Sequence, residues 1–134
     1  MAEVTKSGTP SLSTALPCPG HQVGSNLRAG EAIAAGDACY IKASDGLVYR
    51  STGAAANEAA NVDGFAAVAS KVGEAVTLLV NVEFYYGAAL VPQTKYYLSG
   101  TTAGGLADAA STGGTTNIAK AIDATRVRVR ASWG

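Results

Sequence analysis

A thiol and an imidazole stand close together early in the chain, in Cys18-Pro19-Gly20-His21. Such a pair is the raw material of a nucleophile and its base, or of half a metal site. Either use needs partners that the sequence does not supply. His21 is the only histidine and Cys39 the only other cysteine, so no zinc-type spacing arises. A small hydrolase built on Cys18 and His21 is a remote reading; a loop thiol beside a surface imidazole is the simpler one. The carboxylates are scattered. Asp37, Asp45, Asp63 and Asp123 fall at expected turns, where Asp caps backbone N–H groups. Gly104-Gly105 and Gly113-Gly114 lack the strand-before, helix-after setting of a nucleotide loop. The expectation is no enzyme, with no catalytic residue, no cofactor and no metal site.

Residues suited to gripping a partner are easier to find. Arg126, Arg128 and Arg130 alternate with Val127 and Val129, so a strand there puts three guanidiniums on one face. They suit phosphates or an acidic protein patch, or they keep an exposed strand from pairing wrongly. Six tyrosines outnumber two Phe and one Trp. Tyr combines an apolar body with a polar tip and favours interfaces. In the adjacent pairs Tyr85-Tyr86 and Tyr96-Tyr97, one ring of each must leave the core. Tyr85 and Tyr97 are taken as the outward members. Trp133, at the end of the sequence, is suited to docking on a neighbour.

The elements that must hold these residues read as short strands. Residues 30–51 form a meander around Ala32-Ile33, residues 38–42 and residues 47–50. Asp45-Gly46 between them is a type I′ hairpin signal. Residues 62–69 read as a buried strand of small side chains. Residues 75–86 are the longest candidate, with Val76, Leu78, Val80, Val82 and Phe84 on one face. Shorter strands are expected at 88–91, 95–99, 118–122 and 126–131, with a brief one near Leu106 in the loop 100–116. Residues 55–60 are too short for a helix that is stable without packing. The class is all-β.

Two divisions follow. Residues 1–20 hold three of the four prolines and much Ser and Thr. They read either as a frayed terminus or as an extended N-terminal arm lying on a neighbouring surface, anchored by Val4, Leu12 and Leu16. Residues 21–134 are one β-domain. A weak echo runs through it: Ile33, Tyr40, Ile41 and Gly46-Leu47 overlay Leu90, Tyr97, Leu98 and Gly105-Leu106. GFAAVAS then overlays NIAKAIDAT, and AVTLLV overlays TRVRVR. Either two pseudo-repeats exist, about 30–86 and 87–134, or short strands merely share a grammar.

Composition narrows the partners. Ten acidic and ten basic side chains cancel, which argues against binding nucleic acid through the overall field. No apolar run approaches the roughly 20 residues of a membrane span. The opening residues lack the apolar stretch of an export signal, so synthesis and folding in a cytosol are expected.

With the strands in place, the chain resembles the capsid decoration (cement) proteins of tailed bacteriophages. The resemblance rests on AGEAIAAGDACYI, DGLVYRS, VDGFAAVAS, GEAVTLL, TKYYLSGTTAGGLADAAS and ATRVRVR in that order, across most of residues 21–134. It implies a small β-barrel or β-tulip-like domain of short antiparallel strands with an extended N-terminal arm. It implies a structural virion protein on the outer capsid surface that binds the major capsid protein and stabilises its lattice as a homotrimer. The other reading is a carbohydrate- or host-surface-binding module on the phage head, with weak glycan binding. The family's contact residues do not map onto one motif. The partner-binding candidates therefore come from this sequence: Val4, Leu12, Leu16, Tyr85, Tyr97, Arg126, Arg128, Arg130 and Trp133.

Overall fold

The computed structural model describes residues 3–4, 6, 9–12, 22–23, 27–55 and 57–132. Leu16, Cys18, His21 and Trp133 lie outside them. The described chain is all-β. Its strands are β1 (Glu3–Val4), β2 (Ser11–Leu12), β3 (Gln22–Val23), β4 (Ala38–Ile41), β5 (Val48–Arg50), β6 (Gly64–Ala66), β7 (Leu78–Leu79), β8 (Glu83–Tyr85), β9 (Lys95–Leu98), β10 (Leu106–Ala107), β11 (Asn117–Ala121) and β12 (Arg126–Val129). A seven-stranded sheet runs β1-β10-β9-β11-β12-β8-β2 and curls into a half-barrel. A five-stranded sheet runs β3-β7-β6-β4-β5. All pairings within the two sheets are antiparallel. A 3-10 turn, Glu58–Ala60, is capped by Asn57, whose side chain accepts the Ala59 N–H at 3.0 Å.

Alternation builds the large sheet. Phe84, Tyr96, Leu98, Leu106, Ile118, Val127 and Val129 point inward and are buried. They meet Ala38, Phe65 and Leu79 of the small sheet in one cluster. Phe65 and Phe84 face each other with ring centroids 6.4 Å apart. The small sheet is covered on its other face too. Cys39, Ala66 and Leu78 pack there against Ala29, Ile33, Val48 and Val76. A sheet buried on both faces shows no polar–apolar alternation.

That double cover corrects the long strand expected at 75–86. Leu78 and Leu79 are both buried, and the strand ends there. Asn81 then adopts φ 57°, and the chain crosses to the large sheet as β8. Other expectations shift as well. Of Asp45 and Gly46 only Gly46 takes positive φ (72°), so the turn after β4 is not type I′. It is wider, closed by Gly46 N–H to Lys42 O at 2.8 Å. Residues 32–33 and 88–91 form no strands; Ile33 makes an isolated bridge to Ser70, and Ala89 adopts φ 57°.

The two sheets share a strand order. The small-sheet order β7-β6-β4-β5 corresponds to β12-β11-β9-β10 in the large sheet. The turns entering β4 and β9 match bond for bond. Gly36 N–H donates to Ala66 O and Gln93 N–H to Ala121 O, both at 2.8 Å. Ala66 N–H donates to Asp37 O and Ala121 N–H to Thr94 O, both at 2.9 Å. Ile33 and Leu90 open these turns, as in the sequence overlay. Further on, the registers shift it: Val48 and Leu106 are equivalent, as are Leu78 and Val127.

Both turns need a left-handed residue, supplied by Gly36 (φ 81°) in one and Gln93 (φ 74°) in the other. A residue with a Cβ is strained there by about 1–2 kcal/mol. Gln93→Gly is therefore expected to raise the unfolding free energy by about 0.5–1 kcal/mol, the gain being trimmed by glycine's freedom in the unfolded chain. Gly36→Ala is expected to lower it by more than that strain, because the new Cβ would sit 2.8 Å from Pro10 Cβ. Urea denaturation of the two variants checks both signs.

Candidate functional site

Five of the nine residues proposed from sequence, Tyr85, Tyr97, Arg126, Arg128 and Arg130, lie on one surface, the outer face of the seven-stranded sheet. Register decides it. Val127 and Val129 of β12 are buried, so Arg126 and Arg128 between them turn outward, and exposed Arg130 follows on the same side. Arg126 is the cross-strand partner of Tyr85, Arg128 of Glu83, and Tyr97 of Asn117. Tyr85 is 48% exposed, whereas Tyr86 beside it is buried in the core. Tyr97 is half-buried and Tyr96 buried.

The three arginines are not equivalent. Arg126 Nε donates to Asp123 Oδ2 at 2.7 Å, and its Nη1 reaches Glu83 Oε1 at 3.4 Å. Among the described residues, Arg128 meets only the other oxygen of Glu83, at 3.9 Å. Arg130 is held by one residue, donating from Nε to Asn117 O at 2.9 Å and from Nη2 to Asn117 Oδ1 at 2.7 Å. Positive charge thus grows less compensated from Arg126 to Arg130. Sequence reasoning missed two more cations of this face. Lys95 on β9 and Lys120 on β11 are cross-strand partners, and Lys120 is also the partner of Arg128. The signal was the register between distant strands, which no local pattern carries.

The described parts of the N-terminal segment lie on the chain's own body. Val4 pairs with Leu106 and packs on the main core. Leu12 pairs with Phe84. Between them Lys6 Nζ bonds Asp37 Oδ1 at 2.5 Å and Ala35 O at 3.2 Å. Asp37 is buried, and its other oxygen accepts the Ala34 N–H at 2.9 Å. Glu3 Oε1 accepts from Ser99 Oγ at 2.6 Å. Val4 is thus an anchor, with the protein's own sheet as the surface it grips. Leu16 and Trp133 lie outside the described residues.

Asp45 and Asp123 cap their turns, accepting from Leu47 N–H and from Thr125 and Arg126 N–H; Asp63 lies in no turn and accepts instead from Ile41 N–H on β4. Cys39 is buried with its thiol pushed up by desolvation, which keeps it neutral and unreactive. Among the described residues, no three His, Cys, Asp or Glu side chains gather as metal ligands. No helix among them is long and apolar enough to cross a membrane. Comparison of the chain with protein-family models and with curated proteins finds no match.

Asp123 ties the β11–β12 turn to this face. The Thr125 N–H and then the Arg126 guanidinium hold its carboxyl down at about 2. Its stabilising effect is complete above the usual carboxylate value of about 3.9 and is lost as pH falls toward 2. Asp123→Asn is therefore expected to lower Tm at neutral pH and to flatten the decline of Tm below about pH 4. Thermal melts of both proteins across that range check it.

Proposed function

We propose that this chain is a structural virion protein that binds the outer surface of a tailed-phage capsid and stabilises the lattice of its major capsid protein, as a homotrimer. The observation that carries the reading is the outer face of the seven-stranded sheet. It gathers Tyr85, Tyr97 and the arginines of β12 on one firm surface, in a chain whose motif order resembles that of the decoration proteins. Short strands tied by many turn bonds suit a part that must hold its shape. A subunit spanning the joints between capsomers adds interface that must be lost before the shell opens. Binding energy given only to the assembled state stabilises that state. Threefold repetition turns modest contacts into avidity.

A second reading, a glycan-binding module on the phage head, draws on Tyr85 and Tyr97. Three of the remaining tyrosines (Tyr40, Tyr86 and Tyr96) are buried, and Tyr49 is bonded to Asp45 at 2.7 Å. That leaves fewer rings to stack on a sugar than the sequence promised, and the capsid reading is the stronger.

Purified protein mixed with undecorated capsids is expected to co-sediment with them and to raise the temperature at which the shells break. Capsids that pellet bare and break at an unchanged temperature would refute the proposal.

A further inference from the structure

The outer face of the large sheet carries a line of cations that the fold leaves largely uncompensated. Lys95, Lys120 and Arg128 are direct cross-strand neighbours on β9, β11 and β12. Adjacent strands lie about 4.8 Å apart, so their side chains rise side by side in one row across the sheet. Like charges placed opposite each other on a sheet destabilise it. Among the described residues, no carboxylate lies within ion-pair distance of Lys95 or Lys120. Glu83, next in the row, is 3.9 Å from Arg128 and is shared with Arg126.

This row lines a shallow cleft of about 420 Å³ together with Asn81, Asn117 and Arg130. Arg130 is pinned there by Asn117, which sets its guanidinium before any ligand arrives. Repulsion among these cations opposes folding, and a negatively charged partner would relieve it.

We propose that this cleft binds an acidic polypeptide segment, one that lays two or more carboxylates along the Lys95–Lys120–Arg128 row. Charge complementarity selects an anion. The lining selects the kind: among the described residues it contains no aromatic ring on which a base or a sugar could stack. It offers two amide side chains, Asn81 and Asn117, suited to a peptide backbone. Carboxylates two residues apart on an extended segment stand about 6.7 Å apart. Long lysine stems adjust to that spacing, and the arginine forks bind carboxylates in two-point fashion. The inference rests on the capsid-binding reading for its source: the acidic segment belongs to the capsid protein.

The test uses a fluorescent oligoglutamate peptide, with oligoserine, inorganic polyphosphate and oligothymidylate as competitors. The full chain is expected to bind the oligoglutamate, to weaken as salt rises, and to be displaced poorly by the others. Lys120→Gln combined with Arg130→Gln is expected to weaken binding about tenfold. Lys120→Gln alone is expected to leave Tm unchanged or raise it, because a repelling charge is gone; this separates lost binding from lost folding. No peptide binding, undiminished binding by the double variant, or tighter binding of polyphosphate or oligothymidylate would overturn the proposal. Wild-type protein that co-sediments with capsids yet ignores the peptide overturns the cleft alone. Protein that binds the peptide but not capsids supports the cleft and removes the capsid as its partner.

Discussion

Phe65 against Phe84 is the contact on which the two sheets depend. Phe65 sits at the centre of the small sheet, and Phe84 is flanked by β12 and β2 in the large one. Both are fully buried, and the rings meet at a tilt across the interior. Burying such a side chain contributes about 1.5–3 kcal/mol. Around the pair Leu79, Tyr86, Tyr96, Leu98, Leu106, Ile118 and four valines fill the interior, and Ala38, Ala119 and Ala121 leave room for them.

How much of this could be read from the residues depends on how local the cause was. Arg126 to Val129 announced a strand with one wet face, and the structure has it, because each residue's burial follows from its own alternation. Asp45 and Asp123 were legible for the same reason, each capping residues two or three places on; Asp63 was not, because its partner Ile41 lies on another strand. Residues 75–86 misled because Leu79 is buried by a second layer from elsewhere in the chain. Asn81, where the strand breaks, gives no strong signal by itself. Gly46 predicted a left-handed position correctly, but the closing bond came from Lys42, one residue further back than a tight turn allows.

The outer face was half legible. Tyr85 and Arg128 followed from alternation within single strands. Lys95 and Lys120 did not, because they acquire meaning only when β9, β11 and β12 fall into register. Nor could residues 1–20 be placed by composition. Their prolines argued against central strands, and the described part obeys that rule by taking edge positions. What the sequence did not convey was whose edges they would be: β1 and β2 lie on the protein's own sheet, at its two opposite margins.

That placement has a geometric consequence. A flat sheet of seven strands spans six gaps, about 29 Å from margin to margin. Val4 and Ser11 sit on those margins, and the seven residue steps between them reach at most about 25 Å. The connecting segment is too short for a level sheet. It acts as a bowstring, its length setting an upper limit on how far the arc can straighten. The Lys6–Asp37 ion pair ties that string to the body. Curvature of the large sheet, and with it the shape of the outer face, is thereby fixed by a length of chain as well as by the packing beneath it.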